Sequence, residues 1–201
     1  MIAIIDYDSG NTASVMNAFR ALGEEVILTD NKEVLLSADR VVLPGVGAFG
    51  DAMKKLNERN LVGAIKEIVN RGTPFLGICL GMQLLFEESE ESPGIKGLSL
   101  LPGRFLRIPE DTDLKVPQIG WNDLSFPHTS KLFEGIEQGT HVYFVHSYYL
   151  PVSENTDFIA ATTQYGVTVG AAVEKNNLFA CQFHPEKSAE AGRQILLNFL
   201  G

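Results

Sequence analysis

Short, wholly apolar runs alternate with amphipathic stretches through the first half of the chain, and this alternation limits the fold more than any other feature. Ile2 to Ile5 is followed by Thr12 to Leu22, Val41 to Leu43 by Asp51 to Asn70, and Pro74 to Ile78 by Leu80 to Glu88. Each pair reads as a βα unit. Strands that are continuous apolar runs are buried on both faces of a parallel sheet, and ligands bind beyond the carboxyl ends of such strands. After Ser92 the texture changes. Pro93, Gly94, Gly97, Pro102 and Gly103 punctuate strand-like segments at Phe105 to Ile108, His141 to Leu150, Phe158 to Gln164 and Leu178 to Phe183. Tyr165-Gly166 and Lys175-Asn176-Asn177 read as hairpin turns. A last helix is predicted from Ala189 to Leu200, with Ser188 as its N-cap and Glu190 in its first turn. No linker, repeat or low-complexity tract interrupts the pattern. The expectation is one domain over residues 1–201: α/β, with a mostly parallel central sheet flanked by helices and an antiparallel β extension in the C-terminal half.

Charge and composition narrow the partners. A formal net charge of -9 argues against a surface that tracks phosphates, which needs clustered Lys and Arg. No stretch of 18 or more apolar residues offers a membrane span, and the start MIAIIDYDSGN has no basic leader, so a cytoplasmic location is expected. The only cysteines, Cys79 and Cys181, are too few for a disulfide framework or a thiolate zinc site.

Cys79 has the more telling setting. Phe75 to Gln83 reads as a buried strand, a sharp turn and a helix start, with Gly77 and Gly81 two residues either side of the cysteine. This is the thiol version of the Gly-x-Ser-x-Gly nucleophile elbow. Small residues at those positions let the side chain project from the sheet edge at a helix N-terminus, where free N–H groups favour a thiolate and, led by that of Leu80, can hold an oxyanion. A free cysteine is more often a buried structural residue, and Cys181 keeps that reading.

Of His128, His141, His146 and His184, the last stands out as a base for this thiol. It ends an apolar strand, and Pro185 restricts it to extended geometry. Residues two apart on an extended segment project to one side, so Glu186 can accept from one ring nitrogen while the other faces Cys79. Nucleophile, base and orienting acid make a triad. An isolated His-x-Glu is more often a surface pair; it gains weight here from the elbow.

Val41 to Gly50 contains Gly-x-Gly-x-x-Gly after a strand, formally a dinucleotide fingerprint. That motif belongs to the first βα turn and needs an acid at the end of the next strand, which here ends at Ile78-Cys79. The alternatives are a plain tight turn, or a turn that aims a backbone N–H of Val46 or Gly47 at a reacting carbonyl. The acidic run Glu87, Glu88, Glu90, Glu91 reads as a fraying helix end of which one carboxylate can meet a substrate ammonium. There is no His-Glu-x-x-His, Cys-x-x-Cys or acidic calcium loop, and neither metal nor cofactor is implied.

These residues together resemble the class I, triad-type glutamine amidotransferases, and within them the glutaminase subunits of imidazole glycerol phosphate synthases. The elbow GICLGMQLLFEESEES and the terminal QFHPEKS look like the general class; PGVGAFG, GWN at Gly120 to Asn122 and YFVHSYY at Tyr143 to Tyr149 look specific to the subunit, and the likeness spans essentially the whole chain. The resemblance implies that Cys79, with His184 and Glu186, attacks the side-chain amide of glutamine, releases ammonia and leaves a thioester that water hydrolyses. It implies substrate contacts at Gly47, Gln83, Glu91, Ser147 and Tyr148, and an oxyanion hole at Leu80 and Val46. Val46 stands where many relatives have a second glycine, which suggests that this half of the hole needs a partner to assemble it. The implied partner is a separate (βα)8-barrel cyclase forming a heterodimer and using the ammonia in histidine biosynthesis, with Asn11, Trp121, Tyr143 and Lys187 at the interface. Asp8-Ser9 and Pro117-Gln118-Ile119 depart from the usual subunit pattern and touch interface contacts only.

Competing readings are a glutaminase serving anthranilate, guanylate or pyridoxal phosphate synthesis, a cysteine peptidase or γ-glutamyl hydrolase on a similar sheet, and a non-enzymatic binding module. PGVGAFG and GWN argue against the first, and the filled triad against the last.

Overall fold

The computed structural model describes residues 1–110, 114–152 and 157–201. In chain order its elements are β1 (Ile2–Ile5), α1 (Thr12–Ala21), β2 (Val26–Thr29), α2 (Lys32–Ser37), β3 (Arg40–Gly45), α3 (Phe49–Glu58), α4 (Leu61–Asn70), β4 (Phe75–Cys79) and α5 (Leu80–Leu84). The second half adds β5 (Glu88–Ser89), β6 (Arg104–Arg107), β7 (Gln118–Asp123), β8 (His141–His146), β9 (Tyr148–Pro151), β10 (Ile159–Tyr165), β11 (Val167–Lys175), β12 (Leu178–Cys181) and α6 (Ala189–Leu200).

The large sheet runs β2-β1-β3-β4-β12-β11-β9-β6-β5, with β10 also on β11, while β7 and β8 form a separate two-stranded sheet. Strands β2, β1, β3, β4 and β12 are mutually parallel; β10, β11 and β9 are antiparallel to their neighbours. Every residue of β1, β4 and β12 is buried, as continuous apolar runs require when helices cover both faces. One face packs under Phe49, Leu56, Ile65 and Phe86, the other under Phe19, Phe144, Phe183 and Phe199. The expected parallel sheet, its antiparallel extension and α6 are all present.

Four local expectations need correction. The stretch Asp51 to Asn70 is two helices, because Asn60 takes a left-handed φ of 56°, a conformation asparagine tolerates. The helix after the elbow stops at Leu84 because Glu88 and Ser89 pair with Arg104 and Phe105. His141 to Leu150 is two strands in different sheets, parted at Ser147. Ser188 occupies the N-cap position of α6, but its hydroxyl donates to the His184 carbonyl at 2.6 Å and accepts from Tyr143 N at 3.0 Å.

The sheet is sealed around the elbow by missing side chains. A Cβ on Gly77 would lie 2.9 Å from the Gly81 carbonyl, and one on Gly81 would strike the Leu43 carbonyl on β3. Gly81→Ala is therefore expected to lower the unfolding free energy by about 3 kcal/mol, the upper range for overpacking, read as a fall in the urea midpoint. An unchanged midpoint would show that α5 can back away freely.

Candidate active site

Strands β3, β4 and β12 end side by side: Gly45 is in register with Cys79, and Cys181 with Ile78. Cys79 is the hinge between β4 and α5 and holds φ 55°, ψ -111°. A non-glycine residue so placed carries strain of about 1–3 kcal/mol. That strain is the mark of an elbow: the turn is sharp enough to lift the side chain off the sheet and set it at the first N–H groups of α5.

The chain leaving β12 brings His184 and Glu186 to the same edge. His184 is 2% exposed in its side chain and Glu186 0%, and His184 Nδ1 lies 2.7 Å from Glu186 Oε1. His184 itself is extended, but Pro185–Lys187 form a 3-10 turn, which corrects the expected extended segment: Glu186 meets the ring across a turn and not by alternation along a strand. The ring is further moored by Ser188 through the His184 carbonyl, and by the His184 N–H donating to Tyr143 O at 2.9 Å. Asn11 donates its amide to the same Glu186 Oε1 at 2.6 Å. Nδ1 thus carries the proton toward Glu186, and Nε2 is the nitrogen left for sulfur chemistry.

Burial works against a charged His184 ring, but the neighbouring Cys79 sulfur and the Glu186 carboxylate outweigh it and push the pKa up to about 9. Burial would raise Glu186, and the His184 hydrogen bond and charge, with help from Asn11, bring it below the ordinary carboxylate value instead. His146 is the opposite case. Burial drives it down to about 4, with Nδ1 at 2.9 Å from Tyr148 O and Nε2 at 2.9 Å from the Gln118 amide. It is a neutral wall, not a second base.

A cavity of about 290 Å³ opens over the sulfur, large enough for an amino acid. It gathers Cys79 and His184 with Val46, Gly47, Leu80, Gln83, Glu91, Ser147, Tyr148 and Lys187. Glu186 and Asn11 stand behind the imidazole. Trp121 and Tyr143 pair ring to ring at 6.0 Å on the β7–β8 sheet and do not line the cavity. A larger open cavity of about 760 Å³ around Phe126, Lys131 and Phe133 contains none of the triad.

The Gly-rich turn after β3 is tightly held. Tyr7 donates to Pro44 O at 2.8 Å, and a Cβ on Gly45 would meet the Tyr7 hydroxyl. Gly47 has φ 102°, and the Val46 side chain rests so near Gly10 that a Cβ there would lie 2.8 Å from Val46 Cγ2.

The acidic run is not a fraying end, which corrects the sequence expectation. Glu87 accepts from Gly103 N at 3.0 Å, Glu88 pairs with Lys96, Glu90 accepts from Arg107 N at 2.8 Å, and Glu91 accepts from Phe49 N at 2.7 Å. These carboxylates tie the segment after α5 to β6 and to the N-terminus of α3. Glu91 is thereby fixed at the cavity rim. One buried side chain had gone unremarked: Gln182, 0% exposed, whose Nε2 is 3.7 Å from Cys79 Sγ. A polar residue inside the apolar run Leu178 to Phe183 was the available signal.

The sequence profile described as "Glutamine amidotransferase class-I" matches residues 3–200. The chain is 52% identical to the Imidazole glycerol phosphate synthase subunit HisH of Methanothermobacter thermautotrophicus, covering 100% of this chain and 98% of that one. It is 50% identical to the protein of the same description from Moorella thermoacetica, covering 98% and 93%. A solved structure described as "Crystal structure of glutamine amidotransferase" superposes with a TM-score of 0.76 at 20% identity, covering 100% and 97%.

The triad's charge arrangement predicts its pH behaviour. The protonated His184 ring is favoured, so its contribution to stability is complete below its unfolded pKa of about 6.5 and is lost as pH rises through about 9. The same proton is the one a leaving group would take, so kcat/KM should show an alkaline limb near pH 9. Glu186→Gln removes a group that raises the ring pKa; it should move that limb to lower pH and cut the rate by about 10²- to 10⁴-fold. An unmoved limb would contradict the assignment of Glu186.

Proposed function

The chain belongs to the class-I glutamine amidotransferases, and on that premise we propose that it hydrolyses glutamine to glutamate and ammonia as the glutaminase subunit of an imidazole glycerol phosphate synthase. The observation that carries this reading is the strained Cys79 elbow opposite a His184 ring hydrogen-bonded to Glu186 at 2.7 Å, under a cavity of about 290 Å³.

The reaction follows from that geometry. His184 Nε2 holds the proton that the Cys79 thiol gives up, and the thiolate Sγ adds to the γ-carboxamide carbon. The oxyanion formed is met by the Leu80 N–H at the start of α5 and by a backbone N–H on the Val46 side of the Gly-rich turn. The imidazolium, steadied by Glu186, gives its proton to the departing nitrogen, and ammonia leaves behind a γ-glutamyl thioester. Water, deprotonated by the same ring, then adds to the thioester and releases glutamate. Gly47, Gln83, Ser147 and Tyr148 hold the substrate, and Glu91, fixed at the cavity rim through the α3 N-terminus, faces its α-ammonium group.

Ammonia passes to a separate cyclase subunit, a (βα)8-barrel, in histidine biosynthesis. The relatives described above are named as subunits of a synthase, which supports a two-chain enzyme. On β7, Trp121 is 53% exposed and Ile119 62%, and an aromatic and an aliphatic side chain left this open support a docking face that also includes Tyr143, Lys187 and Asn11. Val46 packs on Gly10, one residue from Asn11, so a partner pressing on that loop reaches the oxyanion side of the site. That half of the hole is assembled on docking.

Glutamine hydrolysis by wild type and Cys79→Ala, each alone and with the cyclase and its nucleotide substrate, tests the whole reading. Wild-type turnover is expected to rise at least tenfold with the liganded partner, and the variant to stay at background. An active Cys79→Ala protein would remove the nucleophile, and equal wild-type rates with and without partner would remove the induced oxyanion hole.

A further inference from the structure

Gln182 is the one side chain at the sulfur whose presence the triad does not explain. It lies on the run leaving β12, with Cys181 and Phe183 on either side also 0% exposed, and its own backbone N–H is spent on Ala171 O at 2.8 Å. Burying a carboxamide in such surroundings is costly unless its polar atoms are partnered. Its Oε1 accepts from Gln83 Nε2 at 3.1 Å, and the other end, Nε2, points at Cys79 Sγ at 3.7 Å. An N–H aimed at sulfur favours the ionised thiol over the neutral one. On another side of the sulfur lies Val145 O, at 3.7 Å, an acceptor that favours the neutral thiol.

We infer that Gln182 is a catalytic residue: its amide N–H donates to the Cys79 sulfur and stabilises it as thiolate, with Gln83 locking the amide in the donating orientation. This rests on the glutaminase reading only for what the thiolate attacks. The titratable groups facing the sulfur leave Gln182 a clear role. Burial pushes His146 down and both Cys181 and Tyr7 up, so these three stay neutral; His184 is the charged group beside the sulfur, with Glu186 behind it, and Glu91 and Lys187 line the cavity. The Gln83–Gln182–Cys79 chain also runs from a cavity-lining side chain to the nucleophile, so a ligand that draws Gln83 away would loosen the donor.

Gln182→Met keeps length and apolar bulk and removes the donor. The readout is alkylation of the intact protein by iodoacetamide, mapped to the Cys79 peptide, across a pH series. The rate at neutral pH should fall about tenfold, as expected for a lost hydrogen bond to a charged group, and the profile should move to higher pH. For glutamine, kcat should fall by a similar factor and KM stay within about twofold. Gln83→Met, in which Gln182 keeps its donor but loses its lock, should slow alkylation by a smaller factor, and it reads the same inference should Gln182→Met not fold. A folded Gln182→Met that alkylates at the wild-type rate and pH would overturn the assignment and leave Gln182 a packing residue, as would unaltered alkylation in Gln83→Met where Gln182→Met does not fold. Alkylation needs no glutamine hydrolysis, so a protein that shows these shifts without hydrolysing glutamine would sink the glutaminase reading and spare this one.

Discussion

Everything at this site depends on one backbone constraint, the left-handed turn at Cys79. A residue with φ 55°, ψ -111° between a strand and a helix is held only where its surroundings leave no alternative. Here they are the Leu43 carbonyl on β3, against which Gly81 packs with no space for a methyl group, and the Gly81 carbonyl, which does the same to Gly77. Because β3, β4 and β12 are parallel and in register at their carboxyl ends, the turn that strains Cys79 also delivers it beside the chain that carries His184 and beside the Gly-rich turn that carries Val46. Strain, sheet topology and chemistry are one arrangement.

His184, the proposed base, is positioned by a different physics, that of hydrogen bonds. Ser188, Tyr143 and Glu186 each fix one aspect of His184, and Asn11 in turn fixes Glu186. Asn11 belongs to the loop after β1, where Asp8 and Asn11 both take left-handed φ and Arg59 on the loop after α3 holds Asp8. The loop that carries Asn11 against the triad also carries Gly10 against Val46. Both sides of the proposed active site therefore rest on one surface loop, the loop that the proposed partner would touch.

The parallel sheet was legible because strands buried on both faces must be continuous apolar runs, and the meeting of Cys79, His184 and Glu186 because glycines flank Cys79 and a glutamate stands two residues after His184. What escaped the sequence was decided by tertiary context. Asn60 is of a type that tolerates left-handed φ, but the amphipathic pattern runs on through it, and only the fold shows that it makes two helices of one stretch. The carboxylates of Glu87 to Glu91 read as a solvated end because their partners, Gly103, Lys96, Arg107 and Phe49, are brought by folding. Val26–Thr29 and Lys32–Ser37, a four-residue strand and a six-residue helix, are too short to display a period in the sequence. Gln182 stood out only as a polar letter in an apolar run; its meaning needed the position of Cys79.

The most direct measurement is the mass of the protein trapped during turnover. Rapid acid quenching of the enzyme while it consumes glutamine, followed by peptide mapping, should find a γ-glutamyl group on the peptide containing Cys79 and on no other. Glutamine consumption with that peptide unmodified, or with the group on a different residue, would contradict the account.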